Sequence, residues 1–151
     1  MVTIGVISDT HGLLRPEAIA ALNGSDHILH AGDVGDAGIL ERLRAIAPLT
    51  AIRGNVDVCG VCGALPATEA VELGGCLFYL VHSIQDLDIQ PPAAGVAVVV
   101  YGHSHHAELQ ERQGVMYLNP GSAGPRRFDL QVSLAKVTVV GGKVDARILE
   151  L

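Results

Sequence analysis

Five short apolar runs in this chain each end in residues that can bind a metal ion. The runs are rich in Val, Ile, Leu and Ala, a composition typical of β-strands that are covered on both faces. In open α/β sheets, ligands bind in the crevice at the carboxyl ends of the strands. The pattern therefore predicts an α/β fold with a site on one rim. The seven candidate ligands are Asp9, His11, Asp33, Asn55, His82, His103 and His105.

The first half of the chain alternates between strand and helix patterns. Apolar residues at Ile39, Leu40, Leu43 and Ile46 have helical spacing, and Pro16 stands where the first turn of a helix tolerates proline. A strand–helix–strand–helix–strand order implies a parallel sheet with right-handed crossovers. The predicted elements are strand Val2–Ser8, helix Arg15–Asn23, strand Asp26–Ala31, helix Ala37–Ala47 and strand Leu49–Arg53.

Hairpin patterns dominate the second half. Thr68–Leu73 and Cys76–Val81 flank a Gly-Gly turn, and two later pairs of strands flank Gln113-Gly114 and Gly141-Gly142. The segment Ser83–Ala94 has no assigned structure, since Pro91-Pro92 would break a helix. The chain thus predicts a mixed two-sheet core with helices outside. The remaining predicted strands are Val96–Tyr101, Glu108–Arg112, Val115–Leu118, Phe128–Val140 and Lys143–Leu149.

Composition narrows the class of protein. With 151 residues we expect a single domain spanning residues 1–151, and no apolar stretch reaches the roughly 18 residues of a membrane span. The chain opens on a strand without a basic segment, so we expect no signal peptide and a cytoplasmic location. Three cysteines fit a reducing compartment, and Cys59-x-x-Cys62 is interpreted as a loop feature. A net charge of −6 does not favour a nucleic-acid surface.

The candidate ligands comprise two carboxylates, one amide and four imidazoles. A single Asp or His after a strand is usually a turn residue or a hydrogen-bonded core residue, but the coincidence at five strand ends is not explained in that way. Seven ligands exceed the needs of one tetrahedral ion, which disfavours a mononuclear metal sensor. They suit two ions that share a carboxylate, and mixed oxygen and nitrogen donors suit Mn, Fe, Zn or Co. Two such ions, about 3.5–4 Å apart, clamp the oxygens in a displacement at phosphorus.

Five ordered motifs resemble those of the calcineurin-like metallophosphoesterases. They are Asp9-x-His11, Gly32-Asp33, Gly54-Asn55, His82 and Gly102-His103-Ser104-His105. The short chain, His30-Ala-Gly-Asp33, Gly54-Asn55-Val56-Asp57 and Asn119-Pro-Gly-Ser122 are similar to the small YfcE-type phosphodiesterase branch. The resemblance implies an α/β fold, a four-layer α/β/β/α sandwich of two mixed sheets flanked by helices.

The resemblance also implies roles for individual residues. Asp9, His11 and His105 would hold a first metal ion, Asp33 would bridge, and Asn55, His82 and His103 would complete a second site. His103 and His105 would point the same way in an extended segment, but the resemblance assigns them to different ions. The expected cofactors are two divalent ions, Mn²⁺ foremost, with Fe, Zn, Co or Ni as alternatives. A hydroxide bridging the ions would attack the ester, with Asp33, Asn55 and His103 as the catalytic residues.

The expected substrate is a small phosphate ester, contacted by Asn55, His106 and Arg126; a homo-oligomer is left open. Larger family members carry a His directly after the Asn, thought to assist the leaving group, where this chain has Val56. We therefore expect a phosphodiesterase that prefers good leaving groups, with Asp57, His106 or water as alternative proton donors. The alternative is a scaffold that binds protein partners, because the retromer contains a subunit with this fold.

Overall fold

The computed structural model describes residues 1–151 as two five-stranded sheets with three short helices. The strands are β1 (Val2–Ile7), β2 (His27–His30), β3 (Leu49–Ala51), β4 (Thr68–Leu73), β5 (Cys76–Val81), β6 (Val96–Val100), β7 (Glu108–Arg112), β8 (Val115–Asn119), β9 (Ser133–Val140) and β10 (Lys143–Glu150). The α-helices are α1 (Pro16–Leu22), α2 (Ala37–Arg44) and α3 (Gly60–Gly63), and a 3-10 turn covers Ile84–Asp86. None of these helices has the length and apolar character needed to cross a membrane.

The first sheet has the strand order β10-β9-β1-β2-β3. Strands β1, β2 and β3 run parallel, whereas β9 and β10 form an antiparallel hairpin added beside β1. The helices pack on the outer face of this sheet. The Asp36 side chain caps α2 by accepting the Gly38 N–H at 3.0 Å, and the apolar face of α2 buries Ile39 and Leu43.

The second sheet has the order β4-β5-β6-β8-β7. Both faces of this sheet are apolar, and the side chains of each strand point alternately to one face and the other. Val98 and Val100 face the first sheet and join the core between the sheets, whereas Val99 belongs to a smaller cluster on the outer face. Ile84 and Leu87, from the segment after β5, pack on that outer cluster.

The α/β class and the two mixed sheets predicted from the sequence are confirmed. The largest error in a strand boundary is at β9, which begins at Ser133 and not at Phe128. Phe128 is 91% exposed and has a φ of +53°, a conformation that no strand residue adopts. Helix α2 ends at Arg44 rather than Ala47, and the glycine-rich α3 has no apolar periodicity that could have predicted it.

The topology brings the ends of β1, β2, β3, β5 and β6 to one rim. Within the first sheet, the Asp9 N–H donates to the Gly32 carbonyl at 3.0 Å, which ties the end of β1 to the end of β2. Within the second sheet, the Gly102 N–H donates to the His82 carbonyl at 2.9 Å. The His103 N–H donates across the sheets to the Asp9 carboxylate at 3.1 Å.

Candidate metal centre

The seven candidate ligands predicted from the sequence meet at this rim, six of them in two groups of three. Asp9, His11 and His105 form the first group, and their ligand atoms all lie within 4.8 Å of one another. The second group, with the same spacing, consists of Asp33, His82 and His103. Each group thus combines one carboxylate with two imidazoles.

The Asp33 carboxylate lies between the two groups. Its Oδ2 is 3.2 Å from Nε2 of His82 and 3.4 Å from Nε2 of His11. Its Oδ1 accepts the backbone N–H of Val56 at 3.0 Å. One oxygen is therefore held by the backbone, and the other faces ligands of both groups.

The two oxygens of the Asp9 carboxylate likewise have different partners. Its Oδ2 accepts hydrogen bonds from the Ser8 hydroxyl at 2.8 Å and the His103 N–H. Its Oδ1 lies 3.7 Å from Nε2 of His11 and 3.6 Å from Nε2 of His105. Supporting bonds of this kind orient metal ligands and leave the other atom of each side chain available.

The His82 ring is also oriented by a hydrogen bond to the backbone. Its Nδ1 donates to the Ala31 carbonyl at 2.8 Å, which fixes the ring and turns Nε2 toward Asp33. Nε2 of His82 and Oδ1 of Asp9 are both buried and have no hydrogen-bond partner. A buried polar atom without a partner is costly, and one cation in each ligand group would satisfy these two atoms. The mixed oxygen and nitrogen donors also suit divalent transition metals, so the residues fit two such ions.

The charges at the centre respond to burial and to one another. Burial opposes ionisation of Asp33, but the neighbouring His82 imidazole and the hydrogen bond from the Val56 amide prevail and lower its pKa to about 2. Burial also disfavours charge on His82, yet the nearby Asp33 carboxylate and the hydrogen bond to the Ala31 carbonyl raise its pKa overall. For His105 burial prevails over the attraction of Asp9 and lowers the pKa.

Five of the seven candidate ligands have a left-handed backbone conformation. Their φ angles are +55° for Asp9, +46° for His11, +58° for Asp33, +73° for His103 and +64° for His105. Residues other than glycine adopt this region uncommonly, at a cost of about 1–2 kcal/mol each. Such strain clusters at functional sites, where the surrounding structure holds it in place.

Glycines next to the ligands provide room for close packing. A Cβ on Gly54 would overlap Oδ1 of Asp33, and a Cβ on Gly102 would overlap the Ser8 hydroxyl and approach Oδ2 of Asp9. This close packing is the physical reason for the Gly-Asn and Gly-His pairs in the sequence.

Asp57 is a supporting residue whose role the sequence did not reveal. It is only 4% exposed, and its carboxylate accepts three backbone N–H groups: Val34 at 3.0 Å, Gly35 at 3.0 Å and Gly54 at 2.9 Å. These bonds connect the loop after β2 to the loop after β3. Asp57 is one of the three candidate proton donors for the leaving group, and the engagement of both its oxygens as buried acceptors disfavours that role.

His30 supports the loop that carries Asp33. Its Nδ1 accepts the Gly32 N–H at 3.1 Å, and its Nε2 lies 3.0 Å from the Thr10 hydroxyl. That hydroxyl donates to the Val34 carbonyl at 2.8 Å, so Nε2 of His30 is the donor to Thr10. Complete burial lowers the pKa of His30 to about 4, and the ring is neutral.

The other predicted site residues lie around this centre. Asn55 is exposed beside His82 and His103, and Val56 contributes its backbone N–H to Asp33 rather than its side chain. His106 is exposed, and its N–H donates to the Ser104 hydroxyl. Arg126 lines a separate depression with Arg15, so the structure does not bring it to Asn55.

A cavity of about 630 Å³ opens beside the second group. We call it the polar cleft. Two of its twelve lining residues are hydrophobic, and Asn55, His82 and His103 form the end nearest the centre. The other lining residues are Arg53, Gly54, Ala67, Thr68, Val81, Ser83, Gln85, Asp86 and Asp88.

Carboxylates and imidazoles gathered at the strand ends of two packed sheets are typical of metal-dependent hydrolases. The family model of the calcineurin-like phosphoesterase superfamily domain matches residues 2–145, and the chain belongs to this superfamily. This confirms the resemblance drawn from the sequence motifs.

Individual relatives agree with this assignment. A protein of Methanothermobacter thermautotrophicus named "probable metallophosphoesterase" is 34% identical, over 97% of this chain and 91% of its own. A solved structure described as a novel archaeal phosphodiesterase has a TM-score of 0.81 at 21% identity, covering 98% of this chain and 100% of its own. Vps29 of Chaetomium thermophilum has a TM-score of 0.80 at 21% identity, covering 99% and 95%. These two structures show likeness of fold.

Proposed function

We propose that this chain is a phosphodiesterase that depends on two divalent metal ions. The observation that carries the proposal is the position of Asp33, whose Oδ2 faces His11 of one group and His82 of the other. Two ligand groups that share one carboxylate match a two-ion centre that clamps the oxygens of a phosphoryl group.

The proposed ligands follow the two groups in the structure. The first ion would be held by Asp9, His11 and His105, the second by Asn55, His82 and His103, and both by Asp33. When bound, the two ions supply positive charge to the phosphoryl oxygens and lower the pKa of a water molecule toward neutrality. Mn²⁺ is the proposed metal, and Fe, Zn, Co and Ni fit the same donors.

The chain's own groups then position the ester. The exposed Asn55 amide lies beside His103 at the inner end of the polar cleft, where it can donate to a phosphoryl oxygen as negative charge develops. We propose Asp33, Asn55 and His103 as the catalytic residues. Val56 carries no proton donor and Asp57 is fully engaged, so a leaving alkoxide would depend on His106 or solvent for its proton. Aryl esters should therefore react faster than alkyl esters.

Hydrolysis of bis(p-nitrophenyl) phosphate in the presence of Mn²⁺ tests the proposal. We expect turnover that chelation abolishes and Mn²⁺ restores. Asp33→Asn should lower both the Mn²⁺ affinity and the rate by about 100-fold, because one side chain serves both ions. Asp129→Asn, which changes an exposed loop carboxylate, is the matched control.

Two further variants test the pairing of ligands. His105→Ala should weaken mainly the first ion and His103→Ala mainly the second, measured by calorimetric titration with Mn²⁺. Unchanged occupancy in both variants would contradict the assignment. If the protein binds two Mn²⁺ ions but hydrolyses neither aryl nor alkyl diesters, the result would favour the alternative of a scaffold that binds protein partners.

A further inference from the structure

The polar cleft begins at the candidate metal centre and extends away from it. Arg53 and Asn55, which follow β3, line it together with Ser83, Gln85 and Asp86, which follow β5. Thr68, at the start of β4, also lines the cleft. A phosphoryl group at the centre would therefore direct one of its substituents into this cleft.

The lining of the cleft favours a polar substituent. Ala67 and Val81 are its hydrophobic residues, and no Phe or Tyr lines it. An aryl or purely aliphatic group would gain little apolar contact there. The side chains of Thr68 and Gln85 instead offer hydrogen bonds to a hydroxyl or amine group.

The charges of the cleft favour a cation over an anion. Asp86 and Asp88 are exposed residues of its lining, and the Tyr79 hydroxyl donates to Oδ1 of Asp88 at 2.7 Å. Arg53 is the only cationic side chain in the lining besides the histidines, and its Nη1 donates to the Leu65 carbonyl at 2.7 Å. With the histidines neutral, the two carboxylates and the one guanidinium give the lining of the cleft a net charge of −1. At the inner end, the buried Nε2 of His82 has no partner.

We propose that the polar cleft binds the alcohol part of the phosphate ester and selects an alcohol that donates hydrogen bonds and carries positive charge. An amino alcohol has this chemistry. Asp86 and Asp88 are the specificity-determining residues, because they accept from the donor and repel an anionic group. The inference rests on the proposed function, since the phosphate must lie at the metal centre for its alcohol to enter the cleft.

Three phosphate monoesters with two-carbon alcohols isolate the effect of charge. Phosphoethanolamine carries an ammonium group, ethyl phosphate an uncharged methyl group, and phosphoglycolate a carboxylate. Their dissociation constants for the Mn²⁺-loaded protein are measured by calorimetry at constant ionic strength, with inorganic phosphate as the reference. Because the carboxylates are exposed, we expect phosphoethanolamine to bind about tenfold more tightly than phosphoglycolate, with ethyl phosphate between them.

The double variant Asp86→Asn, Asp88→Asn should reduce this ratio to about twofold, since amides accept hydrogen bonds but carry no charge. Asp129→Asn should keep the full ratio. Equal binding of the three esters to the unmodified protein, or a ratio that survives in the double variant, would overturn the inference while leaving the proposed function intact. Failure of inorganic phosphate to bind the Mn²⁺-loaded protein would overturn both.

Discussion

Asp57→Asn removes one buried negative charge and almost no volume. In the protein, Oδ2 accepts from Val34 and Gly54, and Oδ1 accepts from Gly35. An amide keeps one acceptor oxygen and turns an NH₂ group toward at least one of these N–H donors. A stranded buried donor costs about 1–3 kcal/mol, and the bonds that remain lose their charge assistance. We expect a loss of about 3 kcal/mol in the free energy of unfolding.

The loss is measured by urea unfolding with chelator present, so that metal binding makes no contribution to stability. Asp129→Asn, on the exposed loop, serves as the control and should remain within about 0.5 kcal/mol of the unmodified protein. The same bonds hold the loops that carry Asp33 and Asn55. Calorimetric titration of Asp57→Asn with Mn²⁺ should therefore show about tenfold weaker binding at the second ion.

The Asp57→Ala variant leaves all three N–H donors without an acceptor, so its loss in the free energy of unfolding should exceed that of Asp57→Asn. Asp57→Asn with the stability of the control would refute the view that this carboxylate connects the two loops. An equal loss of affinity at both ions would refute the view that it acts on the second ion.

His103 has a left-handed φ of +73°, which glycine adopts without strain. We therefore expect the His103→Gly variant to be more stable than His103→Ala by about 1 kcal/mol in urea unfolding with chelator, and the reverse order would contradict the strain. Gly54→Ala should abolish Mn²⁺ binding because its Cβ would overlap Oδ1 of Asp33. Gly38→Ala on α2, whose Cβ would make only ordinary van der Waals contact with Asp36, should keep Mn²⁺ binding; normal binding by Gly54→Ala would exclude this steric argument. The pKa of His30 is about 4 in the folded protein against an ordinary value of 6.5. As the pH falls, His30 is therefore protonated in the unfolded chain before it is protonated in the folded protein. The free energy of unfolding, measured with chelator, should fall by about 3 kcal/mol as the pH drops from above 6.5 to below about 4. The His30→Gln variant should lack this contribution to the pH dependence of stability.

Strand periodicity carried most of the fold prediction. Nine of the ten strands begin within one residue of the predicted position, because alternating or continuous apolar residues mark a strand locally. The exception, β9, follows a loop whose residues pack under the centre: the Ala123 N–H donates to the Ser8 carbonyl at 3.1 Å. Val132 is buried and apolar, so this loop resembles a strand in sequence.

Supporting residues were harder to predict than ligands. Asp57 follows Asn55 by two residues and from sequence is a candidate proton donor, yet its partners Val34 and Gly35 are more than twenty residues away. The polar cleft was equally hidden, because Arg53 and Asp88 come together only when the ends of β3 and β5 meet.

The sequence by itself determined which side chains stand at the strand ends and in what order, since each follows a local apolar run. Tertiary structure decided which of them meet. His103 and His105 would point the same way in an extended segment, but both have left-handed φ angles, and the chain between them turns. His105 consequently approaches His11, with 3.2 Å between their Nε2 atoms, while His103 stands beside His82. Contacts between residues 94 positions apart depend on the packing of two sheets, which no local pattern encodes.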